Sequence, residues 1–447
     1  MRDILLLAIT IVCSVIALRR PFVGVLAFVF YGLFAPQNWV WSIARSLPHS
    51  QIIGICTILG FFLSSERKSL PMQRESILMA LLWAFFGFTT LFAVEQQIAF
   101  EKFLLVSKIL LMVFLSTSIV NNQERIHLLL RVMALSIGLY GLKGALFFLR
   151  TGGEGLVGAP EGSFLAGNNA IGIALVMNLP LLFYLVKTES KVWLRRLFKV
   201  MLIASYPAIL GTFSRGAWGA AMIVTLLLFW DTKRKAMLLS TGAVLAALTM
   251  TLFPSALSSI ISERVVKRYE TLENIEADNS SQARLWSWEF CKRVGLENPV
   301  VGAGFGYYSE IAYAKYYPEM LSRFPGKHWS CHSSWFQVLG EHGVVGFSLW
   351  FGLLISSFMS LRQIRLYGRA FPEMGWVVQL SQGLQTSLVG FMIGGAFLDF
   401  AYFDGYYQLV AVIVVIKEII FNTWKEKNIS ETDFRRALKT KFAATCG

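Results

Sequence analysis

The apolar residues of this chain gather into runs of about 14 to 25 positions, recurring from near the N-terminus to about residue 421. A helix crossing the hydrocarbon core of a bilayer needs roughly 20 such residues. Each run therefore predicts one membrane helix. The runs lie near 4–18, 21–35, 51–64, 76–93, 99–120, 127–149, 169–187, 197–213, 216–230, 236–253, 335–359, 377–398 and 405–421. Residues 1–35 read either as two crossings, broken at Arg19, Arg20 and Pro21, or as one crossing plus an interfacial piece. The expected fold class is an all-α polytopic membrane protein of about 12 transmembrane helices. Its parts are N-terminal transmembrane helices (1–253), a loop (254–334), C-terminal transmembrane helices (335–421) and a basic tail (422–447).

The segments between runs set the orientation. Arg67 with Lys68, Lys187 to Arg196, Lys233 to Lys235, Arg362 to Arg369 and the tail from Lys425 to Lys441 read as cytoplasmic, because short basic loops stay inside. Two runs separate Arg196 from Lys233, so Ser214 and Arg215 fall at an external turn. By the same count residues 254–334 are periplasmic, and they balance nine Lys or Arg against nine Asp or Glu. Within this loop 260–269, 281–294 and 308–321 have helical composition, while Pro299, Gly302, Gly304 and Gly306 mark a turn-rich break. An even number of crossings would put both termini in the cytoplasm. The run at 4–18 lacks a small-residue cleavage site and is expected to remain as a membrane segment.

Composition agrees: 55% of the residues are hydrophobic and only 15% charged, far from the balance of a soluble domain. The net charge of +14 is accounted for by the short basic segments, so no nucleic-acid partner is expected; the lipid bilayer is the surrounding partner. The five cysteines show no C-x-x-C spacing; Cys291 and Cys331 share the long loop, and a pairing between them stays open.

Ionisable groups inside membrane helices cost roughly 2.5 to 3.5 kcal/mol each, so each calls for a reason. Lys108, Arg131 and Lys143 lie within or near the ends of apolar runs and Arg215 lies between two, while no acidic residue sits comparably deep between 100 and 250. Lys108 and Arg131 read most simply as snorkelling to an interface. Lys143 and Arg215, both toward the periplasmic side, are candidates for an anionic ligand. Arginine suits a phosphate or pyrophosphate because its guanidinium stays charged and can bond two oxygens at once.

The loop adds Arg284, set among Trp286, Trp288 and Phe290 on a predicted helix, where an interfacial helix meeting lipid headgroups is the simpler alternative. Where the loop re-enters the membrane stands H-W-S-C-H-S-S-W-F-Q-V-L-G-E-H-G-V-V-G, with three of the chain's five histidines. A neutral imidazole there could take a proton from a sugar hydroxyl near neutral pH. His328 and His332 are four residues apart, but neither H-E-x-x-H nor a third ligand accompanies them, so no metal is expected.

Together these motifs resemble the O-antigen ligase and O-antigen polymerase superfamily. The pattern P-x-x-G-x-G, a gap, H-N-x-x-L and E-x-G-x-x-G corresponds to Pro299 to Gly304 and to His332 onward, with Ser333 in place of the usual Asn. T-F-S-R-G-A-W (Thr212 to Trp218) is similar to the family's S-R-G turn, and A-R-L-W-S-W (Ala283 to Trp288) to its R-x-x-x-W helix. Y-G-L-K-G (Tyr140 to Gly144) and G-S-F-L-A-G-N-N (Gly162 to Asn169) resemble the exosortase-associated O-glycosylation ligase branch, although Gly167 stands where that branch often has Asp.

The resemblance implies a GT-C-like enzyme of the bacterial inner membrane with its active site facing the periplasm. Such an enzyme moves a glycan from undecaprenyl diphosphate to a hydroxyl, which for the ligase belongs to lipid A-core oligosaccharide in lipopolysaccharide biosynthesis. By position, Arg215 and Arg284 would hold the diphosphate and His332 would be the general base, giving inversion without metal or cofactor. The metal-dependent transferases' D-x-D does not occur. Lys143, Asn168 and Asn169 are further candidates for donor binding, and Asp399 or Asp404 for orienting a cation. The rivals are an O-antigen polymerase, a protein O-oligosaccharyltransferase, and a transporter passing an anionic lipid without bond formation; no repeat of the transporter kind is seen.

Overall fold

The computed structural model describes residues 2–65, 69–229, 279–371 and 374–426. The basic pairs Arg67–Lys68 and Lys233–Lys235, the run at 236–253, the helix expected at 260–269 and the tail beyond 426 lie outside them. Among the described residues the helices are α1 (Arg2–Arg19), α2 (Pro21–Phe34), α3 (Ile43–Ser46), α4 (His49–Leu63), α5 (Arg74–Thr90), α6 (Gln96–Ile119), α7 (Gln123–Arg150), α8 (Asn168–Thr188), α9 (Val192–Gly211) and α10 (Arg215–Phe229). They continue as α11 (Asn279–Glu297), α12 (Glu310–Tyr316), α13 (Pro318–Arg323), α14 (Ser334–Ala370), α15 (Trp376–Gly395) and α16 (Asp404–Glu426). A 3-10 turn occupies Pro36–Trp39.

The protein is an all-α, multi-pass membrane protein. By length and composition α7, α8, α14 and α16 could each cross a bilayer, and α2, α4 and α10 are shorter apolar helices. The helix α8 is apolar on every side and almost wholly enclosed, as expected of a helix at the centre of a bundle. One continuous core runs from Val29 to Ile420 and joins α2, α5 to α10 and α14 to α16. Outward, Ile4, Leu5 and Ile11 of α1 and Phe62 and Leu63 of α4 remain exposed, which a lipid solvent tolerates and water does not.

Residues 1–35 form two helices, because Pro21 cannot continue α1 but suits the first turn of α2. The Asp3 carboxylate accepts hydrogen bonds from the Ser42 backbone N–H and hydroxyl, at 3.1 and 2.7 Å. The start of α1 therefore lies at the same end of the bundle as the 35–48 connection. That connection touches the 151–167 connection, which in turn meets residues 400–403. The expectation attached to an even count, both termini at the opposite end, does not describe residue 3.

A second correction concerns the buried cations. Arg131 pairs with the fully buried Glu189 at 2.7 Å, so an acid does sit deep in the 100–250 stretch. Glu189, just past the end of α8, looked like a loop residue in sequence; only packing brings it under α7. Lys108 is exposed on α6, as a snorkelling residue would be.

In the loop, the expected helix at 281–294 is α11, whereas 308–321 is cut in two at Tyr317–Pro318. A small second core of Phe290, Cys291, Val294, Tyr307, Tyr313 and their neighbours holds these pieces together. Cys291 and Cys331 are joined by a disulfide, with their Cα atoms 6.0 Å apart.

Candidate active site

Two short connections and one helix at one end of the bundle carry Arg215, His332 and Arg284. In the first, α9 ends at Gly211 and the chain reverses through Phe213, which adopts a left-handed φ of 52°. Ser214 then starts α10: its carbonyl accepts from the Trp218 N–H at 3.0 Å and its hydroxyl from the Ala217 N–H at 3.4 Å. Arg215 is the first residue of α10, half-buried, at the helix end where the backbone dipole favours an anion. Asn168 opens α8, and its side-chain amide donates to the Thr212 carbonyl at 2.8 Å. Its visible role is therefore to brace the Arg215 turn. Asn169 lies beside it, half-buried.

The second element is α11, which carries Arg284. One turn on, the Ser287 hydroxyl reaches the Arg284 carbonyl at 2.9 Å and the Cys331 carbonyl at 3.3 Å. With the Cys291–Cys331 disulfide, this ties α11 twice to the residue preceding His332. Trp288 packs against Phe336 and Phe397, with ring centres 5.5 and 6.2 Å away. Phe397 also lies against Gly216, where a Cβ would come within 3.3 Å of it. One aromatic ring thus separates the Arg215 turn from the helix of Arg284.

His332 itself has a φ of 47°, an unusual backbone for a non-glycine residue and one that clusters at functional turns. It is held by the 396–403 connection between α15 and α16. The Ser334 hydroxyl donates to the Leu398 carbonyl at 2.9 Å and accepts from the Phe400 N–H at 3.0 Å. The Asp399 carboxylate accepts from the Ser333 N–H at 3.3 Å, and from the His332 backbone and the Ser330 side chain. Burial pushes the His332 imidazole below its usual pKa; the nearby Arg284 cation adds to this, and the Asp399 carboxylate opposes it. Burial in turn pushes Asp399 above the ordinary carboxylate range, against the pull of its hydrogen bonds and of His332. A neutral imidazole near neutral pH can accept a proton, and the cation beside it suits an anion rather than a second proton.

Not every expected residue joins this group. The Lys143 ammonium sits 3.4 Å over the Trp39 ring, in a different corner of the same face. The Asp404 carboxylate accepts from the Gly405 N–H at 2.8 Å and abuts Gly32; of the two aspartates, Asp399 alone acts on His332. His328 is exposed against Tyr313, on a segment that is not helical.

The glycine-rich segment and E-H-G-V-V-G prove to be two halves of one joint. The helix α14 breaks at Gly343, whose φ of 65° leaves the Pro299 carbonyl free to accept from the N–H groups of Val344 and Val345 at 2.7 and 3.2 Å. Ala303 and Gly304 donate at 2.9 Å to the carbonyls of Gly340 and Glu341. The buried Glu341 accepts from the Gly306 N–H at 3.0 Å and the Tyr402 hydroxyl at 2.5 Å, and Tyr402 also meets His342 at 2.9 Å. Sequence spacing marked these residues but not their mutual contact, nor the part of Tyr402, which no pattern announced.

Residues 200–351 match the family described as O-Antigen ligase, and residues 1–190 match a family of unknown function, DUF5935. No curated protein matches the chain.

Proposed function

We propose, from the membership of residues 200–351 in the O-antigen ligase superfamily, that this membrane glycosyltransferase is an O-antigen ligase acting at the periplasmic face of the inner membrane. Its donor is a glycan on undecaprenyl diphosphate and its acceptor a hydroxyl of lipid A-core oligosaccharide. The observation that carries the reading is one half-buried histidine with a left-handed backbone, its turn hydrogen-bonded to Asp399 and tied by the Cys291–Cys331 disulfide to the helix of Arg284, with the Arg215 turn across the shared Phe397.

In the reaction His332 takes the proton of the acceptor hydroxyl as its oxygen attacks the anomeric carbon. The bond from that carbon to the diphosphate oxygen breaks, and the electron pair leaves with the diphosphate. One displacement inverts the anomeric configuration. Arg215 and Arg284 hold the diphosphate and stabilise the charge that grows on it, a type of contribution worth about 10² to 10³ in rate when a single donor is removed. Asp399 is a positioning residue: it anchors the His332 turn and steadies the imidazolium that forms. Asn168 positions Arg215 through Thr212, and Asn169 stands next to it on the donor side.

The test is transfer by the purified protein from lipid-linked glycan to lipid A-core, with His332→Ala as control. Transfer by the His332→Ala protein at the wild-type rate would overturn the general-base role. Offering a second lipid-linked glycan in place of core lipid separates a ligase from a polymerase, the reading that shares this site most closely.

A further inference from the structure

Lys143 and the turn at Pro36–Trp39 form a second group of ligand-type side chains on the same face, away from His332. Its parts come from the 35–48 connection, α7 and the 151–167 connection. Trp39 lies under the Lys143 ammonium, 3.4 Å from the ring centre, and is backed by Phe34 and Tyr140 with ring centres 6.1 and 6.0 Å away. The Tyr140 hydroxyl is committed to the Phe34 carbonyl at 2.6 Å. Asn38 faces Gly162, where a Cβ would stand 3.6 and 3.8 Å from the two ends of its amide. The side-chain carbonyl of Gln37 and the side-chain NH2 of Asn38 are buried atoms with no hydrogen-bond partner among the described residues. Buried polar atoms of this kind are normally paired, so two on adjacent residues point to a polar ligand.

Charge adds the sign. Lys143 is exposed and Arg2 is close enough to repel it, while the neighbouring Asp3 carboxylate is occupied by the Ser42 N–H and hydroxyl. Two cations, two amides and an indole are the groups that recognise an acidic sugar: amides bond its hydroxyls, and the Lys143 ammonium and Arg2 guanidinium attract its anion.

Contacts also connect this group to the chemistry. Gly162 touches Asn38; two residues on, Phe164 packs on Phe400 and Phe403 at 6.2 and 6.1 Å; and Phe400 donates to Ser334, beside Asp399 and His332. The 159–167 connection thus forms a rim with the Asn38 group on one side and the His332 group on the other.

We propose that Gln37, Asn38, Trp39 and Lys143 form a subsite for an anionic carbohydrate, a sugar bearing a carboxylate or phosphate, on the glycan chain of a substrate engaged at His332. This assigns a binding role to the part of the chain that matches a family of unknown function, and it rests on the glycosyltransferase reading above.

The test uses the full chain in detergent with Asn38→Ala and Lys143→Met, the latter keeping the apolar stem that lies on Trp39. In a transfer assay with donor and acceptor varied separately, each variant should raise one KM about tenfold and leave kcat within about twofold, the loss of one hydrogen bond or ion contact to the sugar. A rise confined to the acceptor assigns the sugar to the acceptor, and one confined to the donor assigns it to the donor glycan. Unchanged KM for both, or a collapse of kcat, overturns the subsite. A binding arm is independent of turnover: wild-type protein should hold an oligogalacturonate more tightly than its neutral methyl ester, and Lys143→Met should abolish the difference. Equal binding of both by the wild type overturns the proposal. A wild type that discriminates between them yet transfers nothing would defeat the transferase reading alone.

Discussion

Opening the Cys291–Cys331 bond is the most informative single perturbation, because it separates holding the site together from doing its chemistry. The bond closes a loop of 40 residues between α11 and the His332 turn. In the chain-entropy account such a loop is worth about 13 cal/mol/K, or roughly 4 kcal/mol at room temperature. Between α11 and the residues flanking His332 there then remain the 3.3 Å Ser287–Cys331 hydrogen bond, Trp286 beside Trp329 with ring centres 6.2 Å apart, and Trp288 on Phe336 at 5.5 Å. Those contacts contribute about 1 kcal/mol each beyond burial. The loss is therefore large for this cap and small for the bundle, whose core does not include α11. In a Cys291→Ser/Cys331→Ser protein, amide exchange of residues 287–294 should accelerate by about two orders of magnitude or more, with α8 unchanged. Transfer should fall with it, since the helix that carries Arg284 is no longer tied to the His332 turn. Exchange of α11 at the wild-type rate would refute the reasoning, and so would full transfer with α11 exchanging freely.

Other outcomes follow from the same geometry. His332 acts in its neutral form and its pKa lies below the usual 6.5, so kcat/KM should be level above that value and fall only as the pH drops beneath it. An acid limb above pH 6.5 would contradict this. Asp399→Asn removes the charge that favours the imidazolium, so kcat should fall and the acid limb move to lower pH; a limb that moves upward would show that Asp399 does not act on His332. Arg215→Lys and Arg284→Lys should each lose about 10² or more in rate, because an ammonium cannot copy a two-point grip on a diphosphate; wild-type rates would count against that grip. Glu341→Ala leaves the Gly306 N–H and the Tyr402 hydroxyl without their acceptor, at about 1 to 3 kcal/mol each, and should lower the thermal midpoint in detergent while donor affinity in the folded fraction stays unchanged.

Hydrophobic pattern alone determined the all-helical architecture and most helix positions, because a run of apolar residues in lipid has one economical way to satisfy its backbone. It also set Arg215, Arg284 and His332 on one expected side of the membrane, but what singled out these three was their place in motifs resembling those of the O-antigen ligase superfamily. What it could not decide was which distant groups touch. Arg131 looked unaccompanied until Glu189 folded beneath it, Lys143 went to Trp39 rather than to the histidine, and Asn168 proved a brace for the Arg215 turn. Asp399 and Asp404 are equivalent in sequence, and only the 396–403 connection turned one toward His332. Pairings of this kind depend on how helices far apart in the chain pack, and packing is a property of the whole bundle, whereas a run of apolar residues is a property of its own twenty positions.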